Sequence, residues 1–371
     1  MALAAVALLV VSACATQQNV SAGSLVERAE REVAALLKRV RVYDEPRLVE
    51  YLGAVAGRVG GVGGVRVTVI ADPTLGAFAM PGGRVFVHTG WLSAIESEAQ
   101  LAMILARESA HDTSRLTVGG RTAPMSTVAL SPTAAALLGL DLRLAIAAAI
   151  EGYGSDGERA ADAEALRRLA AAGYDPRDGA RAFQVLAADA SDRRELAEIF
   201  FYGNHQRVSE RDQVWRERLR DDARAARGAG QDIAGSAQEF ARRMRSLVRE
   251  NAALDARAGR FALAGRQLDR VLGADPNDAV AHFYYGELHR LQSQRGAGSA
   301  RTEETQRAVE RYRRAVELDP RYAEPFRQLA LLHYQRGDLV QARAAFERYL
   351  ALDGDAPDAR RIREYLAILG Q

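Results

Sequence analysis

ESEAQLAMILARESAHD, residues 96–112, reads as one strong helix: Ala, Leu, Glu and Met dominate it, and neither Gly nor Pro interrupts it. Ahead of it, VRVTVIAD (65–72) and GRVFVHTG (83–90) read as two strands by their β-branched and aromatic content, joined through a Pro-Gly-Gly turn at 81–83. Further upstream, residues 24–58 read as two helices, the second started by Pro46, and the cluster Gly60-Gly61-Val62-Gly63-Gly64 breaks the pattern. Downstream, an alanine-rich stretch at 127–150 predicts a buried helix. Residues 157–172 predict another that stops at Gly173, and Tyr174-Asp175-Pro176 opens a third. Residues 215–250 are dense in Arg and read as a solvated connecting helix or linker.

The C-terminal third repeats. Asp319-Pro320 and Asp353-Gly354 stand 34 residues apart, the period of the tetratricopeptide helix pair. That register puts Gly286 at the small position of a first helix and, across a ten-residue insertion around 295–304, Ala308, Tyr312 and Ala315 on the second. The next repeat takes Phe326, Leu329 and Ala330, then Ala342 and Phe346; Ala264 and Leu268 suit half of an earlier one. Such an array stacks into a concave face that binds a peptide or another protein.

Composition narrows the rest. The 371 residues, 48% hydrophobic and 26% charged, suit folded domains and exclude a largely disordered chain. A net charge of +2, with Arg spread throughout and Lys38 the only lysine, gives no field for nucleic acid. The single cysteine, Cys14, excludes a disulfide framework, a cysteine-rich zinc module and an iron–sulfur cluster. It ends an apolar run (2–11) of signal-peptide length as Val11-Ser12-Ala13-Cys14, with polar residues beyond. This resembles the lipobox of bacterial lipoproteins, which implies a lipidated Cys14 and a periplasmic protein anchored to the outer membrane. The lipid anchor is then the expected contact with membrane.

Within the long helix, Arg107-Glu108-Ser109-Ala110-His111 is one residue away from H-E-x-x-H, in which two His bind zinc and the Glu is the general base. Its surroundings reinforce the likeness. Gly76-Ala77-Phe78-Ala79-Met80-Pro81-Gly82-Gly83 precedes it, Glu158-Arg159-Ala160-Ala161-Asp162 and Ala172-Gly173-Tyr174-Asp175-Pro176 follow, and Gly203-Asn204-His205 and Arg211 come later. In that order these motifs closely resemble the HtpX-type family of bacterial zinc metallopeptidases over about residues 30–215. The beta-barrel assembly-enhancing proteases of that family share the protease-then-tetratricopeptide order.

The resemblance implies a mainly α chain with a small β-sheet: a zincin-like metallopeptidase domain followed by an α-solenoid of tetratricopeptide repeats. The expected division is a signal peptide (1–13), a tether (14–29), the metallopeptidase-like domain (30–225), a charged linker helix (226–258) and the repeats (259–371). By resemblance His111 and Glu158 keep zinc-ligand positions, Glu108 the general-base position and Asp162 a supporting one behind the metal. His205 and Arg211 would flank the substrate or plug the site. The chain departs from the family at Gly76, where Asn is usual, and at Gln206, where Pro is.

The departure at Arg107 matters more. It replaces the first ligand, because a guanidinium stays protonated and offers no lone pair. About 4 Å from Zn²⁺ it would be repelled by roughly 8 kcal/mol at an effective dielectric of about 20. Arg107 is therefore expected to take over the positive charge and pair with Glu158, and with Glu108. Among other histidines, His88 reads as structural and His282, His289 and His333 as repeat residues, which leaves His205 as the candidate replacement ligand.

Three readings follow. One is a non-catalytic family member that binds unfolded or assembling envelope proteins, with an edge strand near 84–88 taking extended polypeptide and the repeats docking a partner. Another is a working zinc metalloendopeptidase of envelope quality control with the altered set His111, Glu158 and His205. A pure scaffold, in which the repeats alone act, is a third.

Overall fold

The structure, a computed structural model, describes residues 22–60, 64–80, 82–117, 155–192 and 237–369. Helix α1 (Ala22–Leu37) and α2 (Pro46–Val59) precede a sheet of β1 (Arg66–Ile70), β2 (Ala77–Met80) and β3 (Arg84–His88). The short α3 (Thr89–Ala94) leads into α4 (Glu98–Thr117), and α5 (Ser155–Ala171) and α6 (Pro176–Asp192) complete this part. The expected helix at 127–150 lies outside the described residues, as do Cys14, His205 and Arg211.

The strand order is β1-β3-β2, with β1 parallel and β2 antiparallel to β3. Two expectations are corrected here. The segments 65–72 and 83–90 are parallel neighbours rather than a hairpin, and the antiparallel partner of β3 is β2, which the sequence reading missed. The small residues Gly76, Ala77 and Ala79 carry little strand propensity, so the pairing of Phe78 directly opposite Phe86, rings stacked at 5.0 Å, was not legible locally. It follows that the strand 84–88 is the centre of the sheet, not an edge. The outer side of β1 is also engaged, because Tyr43 N–H donates to Val69 O at 2.9 Å and Ala71 N–H to Arg41 O at 2.8 Å.

Alternation along β3 divides the molecule. Phe86 meets Met80, Ile70 and the α1 side chains Val33 and Leu36 on one face, while Val85 and Val87 enter the main core on the other. In that core α4 is enclosed all round: Leu101, Ala102, Met103, Ile104, Leu105 and Ala106 are all buried. Its first turn is fixed by Glu98, which accepts from Tyr51 Oη at 2.7 Å, Tyr174 Oη at 2.8 Å and the Arg58 guanidinium, tying α2 and the α5–α6 turn to α4.

At the end of β3 the buried His88 ring lies where a side chain on Gly76 would stand; a Cβ there would fall 2.6 Å from Nδ1. Nδ1 sits 2.9 Å from Thr74 Oγ1, and that hydroxyl donates to Asp72 Oδ1 at 2.6 Å, which leaves its oxygen to accept from the ring. Burial holds His88 below the usual histidine range, against the opposing pull of Asp72. The structural reading of His88 therefore fits its surroundings, and glycine at 76 is what makes room for the ring.

The repeats form α7 (Ala237–Arg257), α8 (Phe261–Ala274), α9 (Ala279–Arg295), α10 (Gly298–Leu318), α11 (Ala323–Arg336), α12 (Leu339–Leu352) and α13 (Ala359–Leu369). The 34-residue register holds. Ala264, Leu268, Ala308, Tyr312, Ala315, Leu329, Ala330, Ala342 and Phe346 are all buried, and a Cβ on Gly286 would lie 2.5 Å from the Tyr312 ring. The insertion around 295–304 lengthens α9 and α10 to 17 and 21 residues, against 14 for α8 and α12.

The expected linker is different. From residue 237 it forms α7, whose Phe240, Met244, Leu247, Val248 and Ala252 are buried at helical spacing and share one core with α2 and α4. Helix α7 pairs with α8 as a complete first repeat and lies against α3. Asn251 Nδ2 donates to Ser93 Oγ at 2.9 Å, and the Arg270 guanidinium donates to Ser93 O. Asp255, fully buried, accepts from Arg260 at 2.6 Å, Asn251 at 3.0 Å and Gln267 at 2.9 Å. Ser246 Oγ reaches Glu45, and the Arg243 guanidinium lies 4.9 Å over the Tyr51 ring. The many arginines of 215–250 masked this buried stripe in the sequence reading.

Two outcomes are expected. Asp255→Ala leaves Asn251, Gln267 and Arg260 without their shared acceptor and should cost about 3 kcal/mol, read as a shift of the urea midpoint; a shift no larger than that of an exposed Asp→Ala control would show that the seam needs no such charge. For His88 the neutral ring is the native form, whereas the unfolded ring titrates near about 6.5. Its contribution is thus present above that pH and lost as pH falls below it. The thermal midpoint should fall on acidification toward about pH 5, and His88→Gln should flatten that slope. Burial likewise lowers His282, which adds in the same sense, so an unchanged slope in the variant would remove His88 as a source.

Candidate functional site at the contact of α4 and α5

Helices α4 and α5 pack side by side, and polar side chains from both meet at their contact. Arg107, Glu108 and Asp162 are 9%, 5% and 5% exposed. Arg107 Nη1 donates to Glu108 Oε1 at 2.6 Å, and Arg107 Nε donates to Asp162 Oδ1 at 3.1 Å. Beside them, Ser109 Oγ donates into the preceding turn, 2.7 Å from Leu105 O, and accepts from Arg168 Nη1 at 3.2 Å. Arg168 Nε is held by Glu164 Oε1 at 2.7 Å. Hydrogen bonding from Arg167, with Arg168 behind it, brings the Glu164 carboxyl down to about 2.

Local sequence accounts for this placement. On α4, Arg107 and His111 stand one turn apart on one side, and on α5 Glu158 and Asp162 do the same. The side chains of His111 and Glu158 lie outside the described residues, as do His205 and Arg211, so the expected pairing of Arg107 with Glu158 and the replacement ligand set do too. Of the anticipated residues, Arg107, Glu108 and Asp162 are brought together. The partnership of Arg107 with Asp162 was not anticipated, although the spacing of Glu158 and Asp162 placed both on the same face. Ser109 and Arg168 carried no signal in the sequence.

A metal fits this arrangement poorly. The position of the first ligand holds a permanently protonated guanidinium rather than a lone pair, and that guanidinium is fastened to the carboxylate at the general-base position. Glu108 Oε1 thus faces a fixed cation where a metalloenzyme would need it to face a reacting water.

Known proteins agree with the two-part architecture. The profile of Peptidase family M48 matches residues 46–211, and that of the tetratricopeptide repeat matches 296–367. The mitochondrial metalloendopeptidase OMA1 of Schizosaccharomyces pombe is 41% identical over 70 residues, covering 18% of this chain and 21% of that protein. The mitochondrial metalloendopeptidase OMA1 of Danio rerio is 47% identical over 45 residues, 12% of this chain and 9% of that protein. The chain therefore spans about a fifth or less of the length of these relatives. Together with the sheet, the buried α4 and the helix pairs, these matches make the fold that of a peptidase family M48 domain followed by tetratricopeptide helical repeats.

Proposed function

We propose that this chain is a non-catalytic member of the M48 group, a lipid-anchored envelope protein that holds unfolded or assembling envelope proteins as a chaperone or adaptor. The observation that carries the reading is the Arg107 guanidinium bound between Glu108 and Asp162 in the buried α4–α5 contact. Substrate hydrolysis requires a polarised water beside a free carboxylate base, and here the base position is occupied with neutralising an arginine. What remains is a rigid domain carrying a tetratricopeptide array, and such arrays serve protein–protein binding. The closer subtype, that of the beta-barrel assembly-enhancing proteases, rests on the motif order at 76–83, 107–111, 158–162 and 203–211 and on the repeats.

The competing reading is a working zinc metalloendopeptidase with an altered ligand set, favoured by the family match over 46–211 and by metalloendopeptidase relatives. Digestion of casein by the purified chain, with and without chelator, separates the two. The adaptor reading expects no chelator-sensitive cleavage; cleavage abolished by chelator and restored by zinc would establish the enzyme instead.

Anchoring is tested separately. Val11-Ser12-Ala13-Cys14 after an apolar run supports lipidation at Cys14 and an outer-membrane address. Among the described residues no helix is long and apolar enough to cross a membrane. Cys14→Ala should move the protein from the membrane fraction to the soluble periplasmic fraction, and a variant that stays membrane-bound would place the anchor elsewhere.

A further inference from the structure

We infer that Arg107 is a built-in structural cation, which holds α4 to α5 in place of a bound metal ion and makes the fold of the domain independent of metal. The inference rests on the non-catalytic reading above and deepens it, because it assigns the substituted position a task of its own.

Two carboxylates from different helices, Glu108 and Asp162, both accept from the Arg107 guanidinium in a region almost closed to water. Carboxylates in such a place are costly unless a cation with matching hydrogen bonds accompanies them. The Arg107 guanidinium fits that need by shape as well as charge. It directs Nη1 to one carboxylate and Nε to the other, so its planar fork spans the gap between the helices. Arginine remains protonated throughout the accessible pH range, so this cation cannot be lost by titration. Being covalently part of α4, it cannot be removed by a chelator or exchanged for another ion. A second arginine, Arg168, extends the pattern: it joins Glu164 on its own helix to Ser109 of α4. The α4–α5 contact thus carries charge-assisted bonds in both directions, and Arg107 lies at their most buried point.

The test uses the full chain and reads thermal midpoints with and without excess EDTA, together with zinc content by elemental analysis. The unmodified protein should contain far less than one zinc per chain and keep its midpoint in EDTA. Arg107→Met, which keeps the length and removes the charge, should lower the midpoint by about 5 °C or more. Adding Asp162→Asn to that variant should recover part of the loss, because it removes one of the two buried carboxylates that Arg107 binds. Arg107→Lys should fall between the wild type and Arg107→Met, since it keeps the charge and lacks the fork. If Arg107→Met fails to fold, the double variant decides: recovery of a folded chain supports the inference, and failure to recover overturns it.

Full zinc occupancy in the unmodified protein, or a midpoint that drops in EDTA, would also overturn it. These outcomes are distinct from failure of the adaptor reading. A chain that cleaves nothing yet loses stability in EDTA sinks the built-in cation alone. A chain that cleaves casein in a chelator-sensitive way sinks the adaptor reading and, with it, the inference that rests on it.

Discussion

Enclosure of α4 by the sheet, α2, α5 and α6 sets the terms for every polar group it carries. An apolar helix surface can be buried on any side, but a charge on such a helix must bring its partner with it. Glu98 at the start does so through two tyrosines and Arg58. Farther along, Arg107 and Glu108 are adjacent and of opposite charge, and Asp162 arrives from α5 to complete the set. An arginine is tolerated at this depth because carboxylates are in place to receive it.

The second organising contact is the seam between α3 and the first repeat. Asn251, Asp255, Gln267 and Arg270 converge on the stretch that joins the central strand to α4, and Ser93 receives two of them. A buried polar cluster of this kind is sensitive to misalignment, because a small slip leaves several groups without partners. The seam therefore fixes how the array meets the sheet more sharply than the surrounding alanines and leucines could.

Much of this was legible in the residues. The helix at 96–112, the 34-residue register and the paired small and large positions such as Gly286 and Tyr312 are local signals, and local signals survive folding. The likeness to H-E-x-x-H pointed to Arg107 and Glu108, and the Glu158-to-Asp162 motif of the resemblance pointed to Asp162. What escaped was non-local. Strand β2 exists because Phe78 finds Phe86, which no property of Ala77 or Ala79 announces. The connecting helix expected within 226–258 is a helix, but its arginine-rich composition concealed that Phe240, Met244, Leu247 and Val248 face a core rather than solvent. The bond from Arg107 to Asp162 was likewise not announced by the sequence, whereas its pairing with the adjacent Glu108 was.

Mechanically, a helix stack clamped through its first pair behaves as a cantilever. Bending compliance accumulates from one stacked pair to the next, since each repeat contacts its neighbours alone. Side chains of α7 and α8 are immobilised by the seam, whereas α11, α12 and α13 sit at the far end of the beam, where small angular changes at each interface add into larger displacements. A ligand gripped near the clamp would meet a stiff surface, while one gripped near α13 would meet a compliant one able to follow its shape. The array is in this sense graded in stiffness along its length, a property that follows from where α7 is anchored rather than from any difference among the repeats.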